Sequence, residues 1–559
     1  MHVSSQLRVM AVLAASGLLL QSPALLHAQN SNPASNPTPI PIGGFRIAGT
    51  VVNAISGHPL ARVQVILADV RNRQNVQAGI TSEDGRFEFQ VPAGKYALRA
   101  AKRLFITAAY DQHEQFSTAI VTGAGLDTEN LVLRIAPAAV LGGKVIDESG
   151  EPVRHAQVWL YQEDHLSGIS HIRLSRQEAT DDQGAYEFSP LDGGTYFVSA
   201  SAKPWYALHA PSDQSAKGAA PPAVDRSLDV AYPITYYPDA TEADEASPIP
   251  VRGGDRIQAD IHLNPVPALR LIFHVPGTAQ TGFTMPTLQQ PAFDGMNTLR
   301  PDFMQMTSPG VLEVGGIAAG RYTVSMPSGV NGQTQEPGEM DLTSDGQEVD
   351  LSAGEASASV KATVHLLGAA ALPPQLNVAL RNNKRRITQA APVGEKGEVS
   401  FQDVAPGKYD VVAGSAQRAY SVVRISSQGK ETSGRAIEVG AGASLDLSLW
   451  LLGGTATVEG FARRSGKAEA GVMVVLVPKD PESNGDLFRR DQSDLDGSFS
   501  LRSVIPGSYT IIAIENAWDM DWAKPAVIAH YCEHGQKLIV KSESNGIMSL
   551  TEPVEIQSK

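Results

Sequence analysis

TSEDGRFEFQVPAGKYALRA, from Thr81 to Ala100, is two alternating apolar runs joined by a Pro-Ala-Gly turn, and this pattern returns four more times along the chain. It reads TDDQGAYEFSPLDGGTYFVSA from Thr180, TSPGVLEVGGIAAGRYTVSM from Thr307, GEKGEVSFQDVAPGKYDVVA from Gly394 and SDLDGSFSLRSVIPGSYTIIA from Ser493. A turn glycine opens each copy (Gly85, Gly184, Gly310, Gly397, Gly497). Nine or ten residues later comes a second glycine (Gly94, Gly194, Gly320, Gly407, Gly507), and two residues after it a tyrosine (Tyr96, Tyr196, Tyr322, Tyr409, Tyr509). Phe87 and Phe89 alternate with polar neighbours at the two-residue strand period, and Tyr96, Leu98 and Ala100 resume the alternation after the turn, which predicts a β-hairpin. The opening glycines suit a turn with φ > 0. The tyrosines share the phase of Leu98, Val198, Val324, Val411 and Ile511, which assigns the rings to the core.

A spacing near a hundred residues marks whole domains rather than solenoid repeats. Upstream of the hairpin lies a Gly-x-Val strand (Gly49 to Val51, Gly143 to Val145, Val458 to Phe461), a polar turn (SGHPL, SGEPV) and a second alternating strand (Val63, Val65, Leu67; Val158, Leu160; Val472, Val474, Leu476). Downstream lies a closing strand such as Leu131 to Leu133, Ile261 to Leu263 or Leu445 to Leu449. The expected fold is all-β: a tandem array of about five seven-stranded Greek-key β-sandwich modules. Their spans are 43–136, 137–264 with a long insertion at 203–245, 265–354, 355–448 and 449–559, after a Pro/Asn/Ser-rich linker at 29–42.

The order Gly-x-Val, Gly-x-Pro turn, Val-x-Val-x-Leu, Thr-x-x-x-Gly and Pro-x-Gly-x-Tyr resembles the carboxypeptidase regulatory-like domain. That resemblance implies a transthyretin-like sandwich of the carbohydrate-binding-like group. It is strongest in modules one, two and five; modules three and four lack the SGxP turn. In metallocarboxypeptidases such a domain accompanies a catalytic domain, and no catalytic domain is legible in this sequence.

Arg8, the apolar stretch Val9 to Leu20 and a small-residue site up to Ala28 read as a signal peptide over residues 1–28, so the expectation is an exported chain, periplasmic, secreted or at the cell surface. No later segment reaches the length of a spanning helix, so no transmembrane segment is expected after cleavage. A net charge of -14 and a pI near 5.4 disfavour nucleic acid as a partner. The single cysteine, Cys532, excludes an intrachain disulfide.

Three constellations invite chemistry and each has a plainer reading. His530, Cys532 and His534 on a strand would share one face, but no second ligand pair accompanies them, and no metal is expected. Asp491, Asp494 and Asp496 break calcium-loop spacing at Gln492, which leaves a turn. GFARRSGKA from Gly460 fails the phosphate-loop count. No nucleophile elbow or zinc-protease motif is present, so neither catalytic residues nor a cofactor are assigned.

Aromatic residues are the remaining lead. Trp159 and Tyr161 face away from Val158 and Leu160, and are read either as an intermodule contact or as a sugar-stacking platform. Trp205, Tyr206, Tyr236 and Tyr237 lie in the insertion of module two, and Trp518 and Trp522 in WDMDW after the fifth hairpin. The resulting expectation is a non-catalytic binding or scaffold protein with a polysaccharide or surface glycan as favoured ligand. The alternatives are an adhesive or structural spacer that meets other envelope proteins, and an accessory subunit of a separate peptidase. Aromatics exposed together favour the first; aromatics buried between modules favour the spacer.

Overall fold

The computed structural model describes residues 38–39, 44–209, 225, 227–275, 286–325, 333–334, 338–351, 355–368, 371–382, 387–415, 420–427, 430–433, 435–454, 456–482, 484–541 and 546–559. The signal peptide, most of the following linker and the PSDQSAKGAAPPA stretch from Pro211 lie outside the described residues. Strands make up nearly all of the regular structure; α1 (Pro525–Cys532) is the one α-helix among the described residues. Five clusters of buried apolar side chains follow one another along the chain, within 47–135, 139–263, 269–351, 358–451 and 456–556. The strand Ser444–Gly453 runs through the boundary expected at 449, because Leu447, Leu449 and Leu451 all point into the fourth core.

Each of the first four cores is closed between two sheets, and the fifth within one nine-stranded sheet. In the first, Phe45–Asn53 lies between Arg86–Val91, antiparallel, and Leu131–Ile135, parallel. Facing it, Gln64–Asp69 lies between Asn75–Ile80 and Lys95–Ala101. Gly49 is needed for this packing: a Cβ there would sit 2.1 Å from the Leu131 carbonyl oxygen, and at Gly143 the equivalent clash is 2.2 Å from that of Ala259.

The repeated motif is therefore not a hairpin. Arg86–Val91 joins one sheet and Lys95–Ala101 the other, and copies two, three and four are split in the same way. In copy five Ser498–Val504 pairs with Ala456–Arg464 and Gly507–Ile514 with Met473–Pro478, never with each other, although Val554–Gln557 joins the two halves into one nine-stranded sheet. The turn between them is an arch that carries the chain across the core. Two alternating runs with a short turn look the same in sequence whether the chain returns in its own sheet or crosses to the facing one, and only the strand partners separate the cases.

The tyrosines pin this arch. Tyr96 donates to the Pro92 carbonyl (3.1 Å), Tyr196 to Asp192 (3.1 Å), Tyr322 to Ala318 (2.6 Å), Tyr409 to Ala405 (2.8 Å) and Tyr509 to Ile505 (2.6 Å), always four residues back. Each ring is buried, so its hydroxyl finds the partner that burial demands. Burial pushes the Tyr196 and Tyr509 phenols up to about 12. The turn glycines at the other end of the strand all have φ between +70° and +87°, where a side chain would be strained. In three copies the residue that opens the motif adds a third fixed point. Thr81 donates to Leu60 and accepts from the Val63 N–H, Thr180 does the same with Val153 and Ala156, and Ser493 with Glu469 and Val472.

Candidate functional site

The aromatic residues singled out in sequence fall into two junctions between modules and one exposed corner. At the first junction, Trp159 and Tyr161 do point away from the core of module two, but they are only 9% and 1% exposed. They pack with Phe197, Ile234 and Tyr236 against Ala292 of module three. The tip of the module-three hairpin (Thr287–Ala292 and Gly295–Leu299) drives Phe293 into this group. Its ring lies 4.8 Å from Phe197, 5.0 Å from Tyr161 and 5.6 Å from Tyr236. Phe293 has φ 52°, a conformation uncommon for a bulky side chain, so the tip is held by what surrounds it. Asn297 donates to the Tyr161 hydroxyl (2.5 Å), and Asp294 accepts from the Ile172 N–H (2.7 Å). Burial raises both Tyr161, to about 12, and Tyr236.

The second junction joins modules that are not neighbours in sequence. Arg490 of module five, its side chain 7% exposed, reaches Glu114 of module one through both guanidinium nitrogens (2.7 and 3.3 Å). It also donates to the Leu166 carbonyl of module two (2.9 Å). The same guanidinium lies 5.0 Å from the ring of Trp522, 5.2 Å from Phe116 and 5.8 Å from Trp518. Trp518 in turn stacks on His113 of module one at 5.0 Å, nearly parallel.

Around this centre, Lys95 pairs with Asp494 (2.5 Å), Gln492 donates to the Asp111 carbonyl (2.6 Å) and Thr118 (2.8 Å), and Leu495 packs against the first core. Module two adds the Ser170 N–H to Asp521 (2.6 Å) and the Gly168 carbonyl to the Ala523 N–H (2.9 Å). Asp491, beside this cluster, is pushed up to about 6 by burial, reinforced by Asp494 and relieved in part by Lys95.

Burial thus corrects the assignment of Trp159, Tyr161, Tyr236 and Trp522 as ligand-binding rings: their faces are covered by protein. Trp518 is half-buried in the same way, and Tyr237 packs on the core of module two. Trp205 is different, being 87% exposed, edge-on to Tyr206. Tyr206 and Tyr232 both donate to the Glu148 carboxylate; burial alone would raise it, and these hydroxyls bring it below its ordinary value.

The His530, Cys532 and His534 constellation is not on a strand. Pro525 starts α1, which ends at Cys532, and on a helix residues two apart do not share a face. No group of three or more metal-capable side chains occurs among the described residues. The helix buries Ile528 and Tyr531 with Trp522 against Met473, Val475 and Ile512, so both faces of the Met473–Pro478 strand are covered. Asp494 and Asp496 form a turn, and Asp494 is also the partner of Lys95.

Sequence patterns did not single out Glu114, Phe293 or Arg490. The one signal was the polar run RRDQ, Arg489 to Gln492: Arg490 and Gln492 bond to module one, while Arg489 and Asp491 bond within module five.

Comparison with known proteins agrees with the sandwich architecture. Residues 46–128 match the carboxypeptidase regulatory-like domain, and residues 456–541 match the second β-sandwich domain of NOMO1-like BOS complex subunits. Each match covers one module, the first and the fifth, in keeping with repeated domains of this kind. No curated protein matches it. Among solved structures, it is similar to the Bacillus anthracis TIE protein, with 11% identity over 73% of this chain and 74% of that one and a TM-score of 0.17. The Streptococcal ancillary pilin gives 11% identity over 55% of this chain and 98% of that one, with a TM-score of 0.20. GBS52, the minor pilin of Streptococcus agalactiae, gives 14% over 40% and 97%, also at 0.20. No helix among the described residues is long and apolar enough to cross a membrane.

Proposed function

We propose that this multi-domain β-sandwich protein is an exported, non-catalytic scaffold, in which modules one, two and five are clasped together. The observation that supports this reading is the Arg490 junction. An extended spacer keeps its end modules apart, whereas here the fifth module returns to the first and second through a buried ion pair, three aromatic rings and hydrogen bonds to both. Aromatic side chains that would stack on a sugar are spent on these joints. Zero-length carbodiimide coupling should join Lys95 to Asp494 in the exported protein, and partner envelope proteins captured by the wild type should be lost from Arg490→Met. Absence of that crosslink, or catalytic turnover by the purified chain, would sink the scaffold reading.

A second reading, carbohydrate binding by loop aromatics, is favoured at one place, the exposed Trp205 beside Tyr206 and Glu148. If it holds, Trp205→Ala removes retention on polysaccharide, and neither a chelator nor Cys532→Ser affects it.

A further inference from the structure

The sheet of module four has an outward face unlike its counterparts. Val360, Ala362, Val364, Leu447 and Leu449 are buried in the core, so the alternating residues Lys361, Thr363, Asp446 and Ser448 stand on the opposite side. The strand register places Lys361 between Ser400 and Asp446, and Thr363 between Glu398 and Ser448, with Ser426 next in that row. These groups line an open hollow of about 860 Å³.

None of these seven side chains hydrogen-bonds or ion-pairs with another described residue. On the corresponding face of module one, Arg46 is tied to Glu88 and Glu129; in module three His274 meets Glu348, and in module five Ser500 meets Glu459. Module four is also wider here, with five strands against three in module one. At the edge of the hollow Trp450 stands between His365 (5.3 Å) and Arg424 (4.0 Å), which cover its ring and make it a wall rather than a stacking surface.

We propose that this hollow binds a neutral polysaccharide. Four hydroxyls that can donate or accept, one ammonium that only donates and two carboxylates that only accept match a polyol whose every hydroxyl does both. Two carboxylates against one lysine disfavour a polyanion. The site does not depend on the scaffold reading and is separate from the Trp205 corner.

Affinity electrophoresis of the mature chain through gels containing amylose, dextran, xylan, galactomannan or alginate tests it. At least one neutral polymer should retard the wild type. Lys361→Ala with Asp446→Ala, and separately Ser448→Trp, which fills the hollow, should each weaken retardation tenfold or more, while Trp205→Ala leaves it unchanged. The proposal is overturned if no neutral polymer retards the chain, if retardation survives both module-four variants, if Trp205→Ala alone abolishes it, or if alginate is bound most strongly.

Discussion

The two junctions solve the same problem with different chemistry. Modules two and three, joined directly in sequence, meet through an apolar plug, Phe293 among Phe197, Tyr161 and Tyr236, with Lys203 and His209 of module two also facing Asp302 of module three. Module five reaches modules one and two from far along the chain and meets them through Arg490, Glu114, Lys95, Asp494 and Gln492. A short linker keeps module three close to its partner, so non-directional burial suffices there. A distant module has many surfaces to choose among, and buried charge pairs penalise every wrong placement because each leaves an ion uncompensated. The first joint rests chiefly on aromatic burial, the second on a buried ion pair.

Module two contributes to both junctions, so its own fold sets the upper limit of either. Tyr196→Ala should cost about 3 to 5 kcal/mol in that module, as large buried aromatic truncations do. Chemical denaturation should show both junctions lost together; an unchanged second module would break the assignment of the tyrosine as the pin of the arch.

Next in size is Arg490→Met, which leaves Glu114 buried without its cation and should cost about 3 to 5 kcal/mol of docking. The expected signature is release of module five with intact cores, seen as new protease sensitivity around Glu114 and Leu166 while each sandwich still melts cooperatively. Replacing Glu114 by Gln in the same chain should restore part of the loss, since the stranded charge is then gone.

Phe293→Ala should have a smaller effect, about 2 to 3 kcal/mol, because the ring is only half-buried; alanine keeps the Cβ, so the left-handed backbone at this position is no less strained. Fluorescence of Trp159 should shift to the red as water enters, with the Arg490 junction unaffected. Coupled loss of both junctions would mean that they are one cooperative unit.

The smallest effect concerns pH. Asp491 sits at about 6 in the folded chain against 3.8 for the free group, so folding favours its protonated form. Its contribution is full below about pH 4 and is lost as pH rises through 6, costing at most about 2 to 3 kcal/mol at neutrality. Asp491→Asn keeps an acceptor for the Ser500 N–H and should raise stability at pH 7 by about 1 kcal/mol, flattening the profile between pH 4 and 6. Asp494 is also raised by burial and leaves a residual slope.

The strands and their buried phase were legible because alternation and turn glycines are local properties: Phe87, Phe89, Tyr96 and Leu98 declare themselves within a dozen residues. The arch was not, since the partner of Lys95–Ala101 is Gln64–Asp69, a pairing that no local pattern carries. The outward phase of Trp159 and Tyr161 could be read, but what covers them could not. α1 was missed although Pro525 is a usable start signal, because eight residues that are apolar nearly all round give a weak helical period. Arg490 and Glu114 look like solvated charges until the modules are brought together.

The Arg490 and Glu114 pair also sets a timetable. The two residues are 376 positions apart, so as the chain is made from its N-terminus the docking face of module one is complete long before its partner exists. For that interval Glu114 and Phe116 face water, and three further sandwiches must form before they are covered. Docking of module five therefore comes after modules one to four have been made, and a chain cut before Arg490 leaves the acidic, aromatic face of Glu114 and Phe116 uncovered.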